Sequence, residues 1–206
     1  MNFILGSSGQ ARESEWILRA SGQAKPDHFV GRDFVGSQIH GIEVISEERF
    51  KELITHGNHK VWIGIGNPKL RAKLGQEICN FSGVEFPDAI HPSAFYDYEY
   101  CQFGHGLLLA PGVIVTTDVS IGNHVHLNVK SYVGHESVIG DFTTISPAVH
   151  IAGNVKIGKR VFMGIGACTV ERISICDDAV IGAGAVITKS IVEPGTYVGV
   201  PAKRIS

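Results

Sequence analysis

Two adjacent side chains in the second half of this 206-residue chain could carry out acid–base chemistry. His135 is followed directly by Glu136. A neutral imidazole, whose unperturbed pKa is about 6.5, can take up a proton at neutral pH, and a neighbouring carboxylate raises its basicity and orients the ring. The couple could therefore act as a general base. The alternative interpretation is an ordinary polar residue at a turn of the chain.

A second pair of histidines offers a different chemistry. His124 and His126 flank Val125, so both are predicted to point away from a core along one edge. They could be metal ligands, but such a site needs further ligands at fixed separations, and the sequence does not clearly supply them. Solvated or interface histidines are the favoured interpretation, and no metal is expected.

Near the beginning of the chain, a short turn could bind phosphate. The segment Gly6-Ser7-Ser8-Gly9-Gln10 lies between a predicted strand and a predicted helix. Glycines at that place let backbone amides approach a phosphate at the positive end of the helix. The full GxGxxG pattern is absent, so an ordinary tight turn remains open.

The elements that must position these groups fall into two halves of different periodicity. In the first half, short apolar runs predict strands at 3–5, 28–30, 42–45 and 61–66. Helices are predicted at 11–20, with Trp16, Ile17 and Leu18 for burial, after the capping residue Ser46, and at 68–80. Strand and helix in alternation predict a small parallel sheet with helices on its faces.

The second half places an apolar residue at every sixth position. The register runs without a slip through fourteen positions, thirteen of them apolar: Leu109, Val115, Ile121, Leu127, Val133, Ile139, Ile145, Ile151, Ile157, Met163, Thr169, Ile175, Ile181 and Ile187. The next residue is usually small. This period predicts a coil of short strands in which one aliphatic side chain per face points inward. Three faces make a triangular prism, whose handedness the period does not determine.

Composition excludes several classes of protein. Lys and Arg number 18 and Asp and Glu 20, so neither nucleic acid nor an anionic membrane surface is an expected partner. The first residues do not resemble a signal peptide, and no run approaches the roughly 20 apolar residues of a membrane span. The 4 cysteines show no CxxC spacing, which favours packed thiols in a reduced, cytoplasmic setting.

Motifs along nearly the whole chain carry a family resemblance. They are the turn from Gly6 to Ala11, Ile63-Gly64-Ile65-Gly66-Asn67 with Leu70-Arg71, Ile90-His91-Pro92-Ser93-Ala94, the segment from Val133 to Phe142, the segment from Ala152 to Gly158, Ile181-Gly182-Ala183-Gly184-Ala185-Val186, and the tail from Val198 to Arg204. Together these residues resemble the hexapeptide-repeat acyltransferases, and in particular the bacterial nucleotide-sugar N-acetyltransferases of the bacillosamine and perosamine type, with the related sialic acid O-acetyltransferases.

The resemblance implies a fold and an assembly. It implies a small Rossmann-like α/β domain over residues 1–85 that binds the nucleotide sugar, followed over residues 86–206 by a left-handed parallel β-helix of hexapeptide repeats. It also implies a homotrimer, with each active site between adjacent prisms. Acetyl-CoA is the implied co-substrate.

The resemblance also implies roles for individual residues. His135 corresponds to the family's general base, Glu136 to the carboxylate beside it, and Asn128 to a supporting polar residue. The residues implied to contact CoA are Thr144, Ile165, Gly182 and Ala183. Those implied to contact the nucleotide sugar are Gly6, Ser8, Gly9, Gln10, Asp33, Gly66 and Asn67.

Three positions depart from the family pattern. Gln10 stands where the family usually has a histidine, Thr144 stands in place of a second histidine, and Arg32-Asp33 replaces a pair of acidic residues. The implied function is transfer of an acetyl group to the amino group of a nucleotide-linked sugar in surface glycan biosynthesis. O-acetylation of a sialic acid or related sugar, a longer acyl donor, and a non-catalytic sugar-binding or scaffold protein remain the alternatives.

Overall fold

The computed structural model describes all residues, 1–206, and begins with an α/β sheet. Its elements are β1 (Asn2–Leu5), α1 (Gly9–Ala20), β2 (His28–Val30), β3 (Gln38–Ile39), β4 (Ile42–Ile45), α2 (Glu47–Leu53), β5 (His59–Ile63), α3 (Pro68–Ile78) and β6 (Val84–Glu85). The six strands lie in the order β3-β4-β2-β1-β5-β6. All neighbours are parallel except β3 and β4, which are antiparallel. Each predicted strand and helix is present, but β5 ends at Ile63 instead of continuing to residue 66, and α3 ends at Ile78 instead of residue 80. The two-residue strands β3 and β6 were not predicted.

Side-chain caps begin two of the three helices, including the predicted cap at Ser46. At α2 the amide of Arg49 donates to the hydroxyl of Ser46, and at α3 the amide of Leu70 donates to the side chain of Asn67. At α1 the prediction that Trp16 is buried is wrong: it is 40% exposed. Ile17 and Leu18 face the core, whereas Trp16 lies beside that face and rests against the ring of His91 in the second half.

The rest of the chain is a stack of mostly two-residue strands on three faces. The strands are β7 (Ala89–Ile90), β8 (Phe95–Tyr96), β9 (Gln102–Phe103), β10 (Leu108–Leu109), β11 (Ile114–Val115), β12 (Ser120–Ile121), β13 (His126–Leu127), β14 (Tyr132–Val133), β15 (Val138–Ile139), β16 (Thr144–Ile145), β17 (His150–Ile151), β18 (Lys156–Ile157), β19 (Phe162–Met163), β20 (Cys168–Thr169), β21 (Ser174–Ile175), β22 (Val180–Ile181), β23 (Val186–Ile187), β24 (Thr196–Val198) and β25 (Lys203–Arg204). Each strand pairs in parallel with the strand one turn away, so that Leu109 lies beside Leu127. Only β25 is antiparallel to its neighbour.

The prediction from the six-residue period is confirmed. Every one of the fourteen stepped positions is buried, including Thr169. At most corners the second turn residue adopts a left-handed backbone, as at His124, Glu136 and Asn154, with φ of 54°, 57° and 57°. Three stacked parallel sheets of this kind fit a left-handed β-helix.

The outward side chains distinguish the three faces of the prism. The covered face, β7-β10-β13-β16-β19-β22-β24-β25, packs on the α/β sheet and its helices, and one hydrophobic cluster of 37 residues runs through both. The apolar face, β8-β11-β14-β17-β20-β23, points Phe95, Ile114, Tyr132, His150, Cys168 and Val186 outward. The polar face, β9-β12-β15-β18-β21, points Gln102, Ser120, Val138, Lys156 and Ser174 outward.

Three edges join these faces. Edge 1 lies between the covered and apolar faces, edge 2 between the apolar and polar faces, and edge 3 between the polar and covered faces. None of the helices is long and apolar enough to cross a lipid bilayer.

Candidate active site

The imidazole–carboxylate couple lies at a corner of edge 2, directly after β14. Nδ1–H of His135 donates to Oε2 of Glu136 across 3.2 Å, and the two side chains are 55% and 59% exposed. The left-handed backbone of Glu136 turns its carboxylate back towards the ring. With Nδ1 carrying the proton, Nε2 keeps a lone pair that can accept one. The corner thus presents an oriented, accessible base.

Most of the residues predicted to contact CoA lie on edge 1 instead. Ile165, Gly182 and Ala183 follow β19 and β22 at that edge, and Ile165 is 56% exposed. Asn128 follows β13 at the same edge, where it is buried and its Nδ2 donates to the carbonyl of Ile145 at 2.8 Å. One face of the prism separates edge 1 from edge 2. A single chain therefore does not bring Asn128 beside His135.

The paired histidines lie at an interface and are not solvated, which decides between the two placements that the sequence favoured. His124 and His126 point away from the prism core, as predicted, but they are not solvated, because the α/β half covers them. The ring of His124 stacks on that of Phe142, with centroids 4.9 Å apart. No group of three or more His, Cys, Asp or Glu side chains is arranged to hold a metal ion.

Thr144 lies in the same covered junction. Its hydroxyl donates to the carbonyl of Gly66 at 2.8 Å, and its side chain is buried. A side chain buried in this junction has no surface open to CoA, so the structure does not place Thr144 at the predicted CoA contact. The position instead ties the Gly66 loop to the prism.

The centre of this junction is a fully buried guanidinium that the sequence interpretation missed. Arg71 of α3 is 0% exposed and donates to five oxygens: the carbonyls of Ile65, His124, Phe142 and Thr143, and the hydroxyl of Thr144. Burial lowers the pKa of Arg71 to about 9, so it remains charged at neutral pH. One side chain thus links the predicted nucleotide-sugar loop to two turns of the prism. Only the Leu70-Arg71 motif marked it in the sequence.

The junction histidines make folding sensitive to acid. Burial, followed by His105 and Arg71, lowers the pKa of His124 to about 4, while Asp141 opposes this, and burial lowers the pKa of His126 in the same direction. In the unfolded chain the imidazoles of His124 and His126 become protonated near pH 6.5, whereas in the folded chain they are still neutral at that pH. The free energy of unfolding therefore falls as the pH drops from about 6.5 towards 4. For His124 alone the loss approaches about 3 kcal/mol.

Urea unfolding at several pH values between 7.5 and 4.5 measures this loss. The variant His124→Asn stays neutral throughout and suits the left-handed backbone of that position, so its stability should fall less steeply. An identical slope in the variant and the wild type would contradict the assignment.

A cavity of about 360 Å³ opens in the α/β half. Among the residues predicted to contact the nucleotide sugar, Gly6, Ser8 and Asp33 line it. A Cβ on Gly6 would lie 2.8 Å from the carbonyl of Gly64, and its φ is 109°, so the tight turn requires glycine here. The other predicted contacts, Gly9, Gln10, Gly66 and Asn67, do not line the cavity. Gln10 lies beside Gly66: its Oε1 would be 3.5 Å from a Cβ built on Gly66.

Charged residues of α2 and α3 complete the cavity and were not predicted. Glu47 and Lys51 face it from α2, and Lys73 and Glu77 from α3. Lys51 forms an ion pair with Glu77. The spacing of four within each helix places both members of a pair on one face, a signal that could have suggested a shared cavity wall.

Comparison with known proteins identifies the class of this site. GDP-perosamine N-acetyltransferase of Escherichia coli O157:H7 is 32% identical over 189 residues, which cover 88% of this chain and 82% of that protein. A variant of perosamine N-acetyltransferase from Caulobacter crescentus, crystallised with CoA and GDP-perosamine, has a TM-score of 0.93 at 29% identity and covers 100% of this chain and 96% of its own. The acetyltransferase domain of PglB from Neisseria gonorrhoeae, in complex with acetyl coenzyme A, shares the fold at a TM-score of 0.91 and 24% identity, covering 99% and 98% of the two chains.

No model of a known protein family matches the chain. The three-faced coil of six-residue turns, which it shares with these solved structures, nevertheless places the chain among the hexapeptide-repeat acetyltransferases. Because a relative at 32% identity aligns with 88% of its length, the chain belongs to the family of the GDP-perosamine N-acetyltransferases.

Proposed function

We propose that this chain transfers an acetyl group from acetyl-CoA to the amino group of a nucleotide-linked amino sugar. The observation that carries the proposal is the accessible couple of His135 and Glu136 at edge 2, in a chain similar over 88% of its length to a GDP-perosamine N-acetyltransferase. The GDP-perosamine of the related proteins indicates the acceptor class, a hexose with a free amine attached to a nucleoside diphosphate.

The base acts directly in a complex of both substrates. Nε2 of His135 accepts a proton from the amine as the nitrogen bonds to the thioester carbonyl, while Glu136 holds Nδ1–H and stabilises the imidazolium. The carbon–sulfur bond then breaks, and the imidazolium returns the proton to the leaving thiolate, which leaves as CoA thiol. Backbone amides of the coil stabilise the developing oxyanion. No covalent enzyme intermediate is needed, and no cysteine hydrogen-bonds or pairs with His135.

Residues 1–85 act as a Rossmann-like nucleotide-sugar domain and residues 86–206 as the acetyl-transfer domain. The cavity lined by Gly6, Ser8 and Asp33 supports this division, because it opens beside the first turn after β1, at the N-terminus of α1. Lys73, which also lines the cavity, offers a positive charge to the diphosphate. Gly9, Gln10, Gly66 and Asn67 extend the same site towards the prism.

Edge 1 binds CoA through Ile165, Gly182 and Ala183, and the active protein is a homotrimer. Since edge 1 and edge 2 lie on opposite sides of the apolar face, a second copy must bring its edge 1 to the His135 of the first. The exposed Phe95 and Ile114 on the apolar face support its burial between copies. In that assembly Asn128 of one copy lies at the seam that holds His135 of another.

We place this reaction in the cytoplasm, where acetyl-CoA and nucleotide sugars are made, and assign its product to surface glycan biosynthesis. The similarity to GDP-perosamine N-acetyltransferases supports both assignments.

A thiol-release assay across acceptors tests the proposed function. Acetyl-CoA is offered with GDP- and UDP-linked 4-amino sugars, the matching 4-hydroxy sugars and free sialic acids, and products are examined by mass spectrometry. Equal amounts of CoA thiol and N-acetylated nucleotide sugar are expected with the amino sugars alone. O-acetylated sialic acid as the main product, or no thiol release with any acceptor, contradicts the proposal.

A further inference from the structure

The turn that follows His135 along edge 2 carries a glycine that the backbone does not require. Counting one turn at a time, the first turn residues of edge 2 are Thr117, His135, Gly153 and Glu171. Three of the four carry side chains, so this corner position accepts them. Gly153 is also absent from the residues with positive φ. Its lack of a side chain therefore needs another explanation.

The explanation lies in the ring of His135, which rests against Gly153. A Cβ on Gly153 would lie 2.5 Å from Nε2, 2.6 Å from Cε1 and 3.0 Å from Cδ2 of that ring. These distances place the added Cβ over the face of the ring beside Nε2, whereas the lone pair of Nε2 lies in the ring plane. A side chain at 153 would thus push the ring off the coil and turn its basic nitrogen away from an amine, which must stand about 2.6–3.2 Å from it.

We propose that Gly153 is a positioning residue of the acetyl-transfer site, which lets the ring of His135 lie flat against the coil and so fixes the direction in which Nε2 points. This inference rests on the proposed role of His135 as the base. It gives Gly153 a role through the space that it leaves empty.

The structure also shows which group yields when a side chain is added. The nearest atoms to the added Cβ belong to the end of the His135 side chain, which is 55% exposed and can rotate outward. At Gly164, by contrast, a Cβ would meet the backbone nitrogen of Ala183 at 2.6 Å, which cannot move without the coil. Alanine at 153 should therefore displace the imidazole and leave the fold intact.

The variant Gly153→Ala tests the inference in the full-length protein. Its kcat for acetyl transfer is expected to fall about 10- to 100-fold, because small displacements of a catalytic group carry losses of that size. The KM for acetyl-CoA should change less than about threefold and the Tm little, since the ring and not the backbone gives way. The matched variant Glu171→Ala, at the same corner one turn on, should retain wild-type kinetics.

A double-mutant cycle separates positioning from a general structural effect. If Gly153 acts through His135, then Gly153→Ala should cause no further loss in a chain that already carries His135→Ala. A further loss of the same factor there, unchanged kcat in the single variant, or unfolding of the single variant would each overturn the inference. Full activity of His135→Ala itself would instead overturn the proposed function, so the two failures are distinguishable.

Discussion

Replacing His135 with alanine is expected to lower kcat by about 10²- to 10⁴-fold, the usual contribution of a positioned general base. The side chain is 55% exposed and its ring bonds only to Glu136, so the substitution should leave the fold and the Tm nearly unchanged. Acetyl-CoA is proposed to bind at edge 1, so its affinity should also persist. Steady-state thiol release, with calorimetric titration of CoA, measures both quantities.

The control for this variant is His56→Ala, which removes an exposed histidine from the α/β half. It should keep wild-type turnover. Glu136→Gln should lose less than His135→Ala, about tenfold, because an amide oxygen can still accept from Nδ1–H but carries no charge to stabilise the imidazolium. Wild-type turnover in His135→Ala would remove this residue from the mechanism.

Replacing Arg71 with methionine is expected to reduce the free energy of unfolding by about 3–5 kcal/mol, a loss typical of breaking a buried charged network. Methionine matches much of the volume but leaves the carbonyls of Ile65, His124 and Phe142 without their donor. For a chain of this size the loss corresponds to a fall in Tm of about 10 °C. Urea unfolding and calorimetry measure both values.

Lys69→Met is the matched control for Arg71→Met, because it removes a cation from the same helix. Lys69 is exposed and lies 4.0 Å from Asp178, a surface pair worth less than about 1 kcal/mol. Arg71→Met should also raise the KM for the nucleotide sugar, since the Gly66 loop loses the Arg71 bond to Ile65 and keeps only the Thr144 bond as its link to the prism. Equal stability of the two variants would show that the buried guanidinium does not hold the junction.

The coil could be predicted in detail because its physical rule is local. In a two-residue strand one side chain must point inward, and the six-residue repeat from Leu109 to Ile187 names that residue at every turn. The corner that presents His135 follows from the same register. Handedness does not, because the period is the same for either hand.

The junction could not be predicted, because the repeat does not show which face another part of the chain covers. His126 and Thr144 occupy outward positions like those of Tyr132 or Lys156, and only the packing of α3 distinguishes them. Arg71 is satisfied almost entirely by backbone carbonyls, which carry no sequence signal. The prediction that Trp16 is buried was wrong for a related reason, since the helical pattern identifies the buried face of a helix but not the limits of that face.

Two copies of the chain are proposed to complete each active site, one supplying edge 2 and the other edge 1. Subunit complementation tests this sharing, with His135→Ala as one inactive variant and Ala183→Trp, which blocks the proposed CoA groove, as the other. Refolded together in equal amounts, they should regain about a quarter of the wild-type rate per chain, because one seam in four receives both intact edges. If the mixture stays as inactive as each variant alone while forming mixed oligomers, the active site is not shared between two copies.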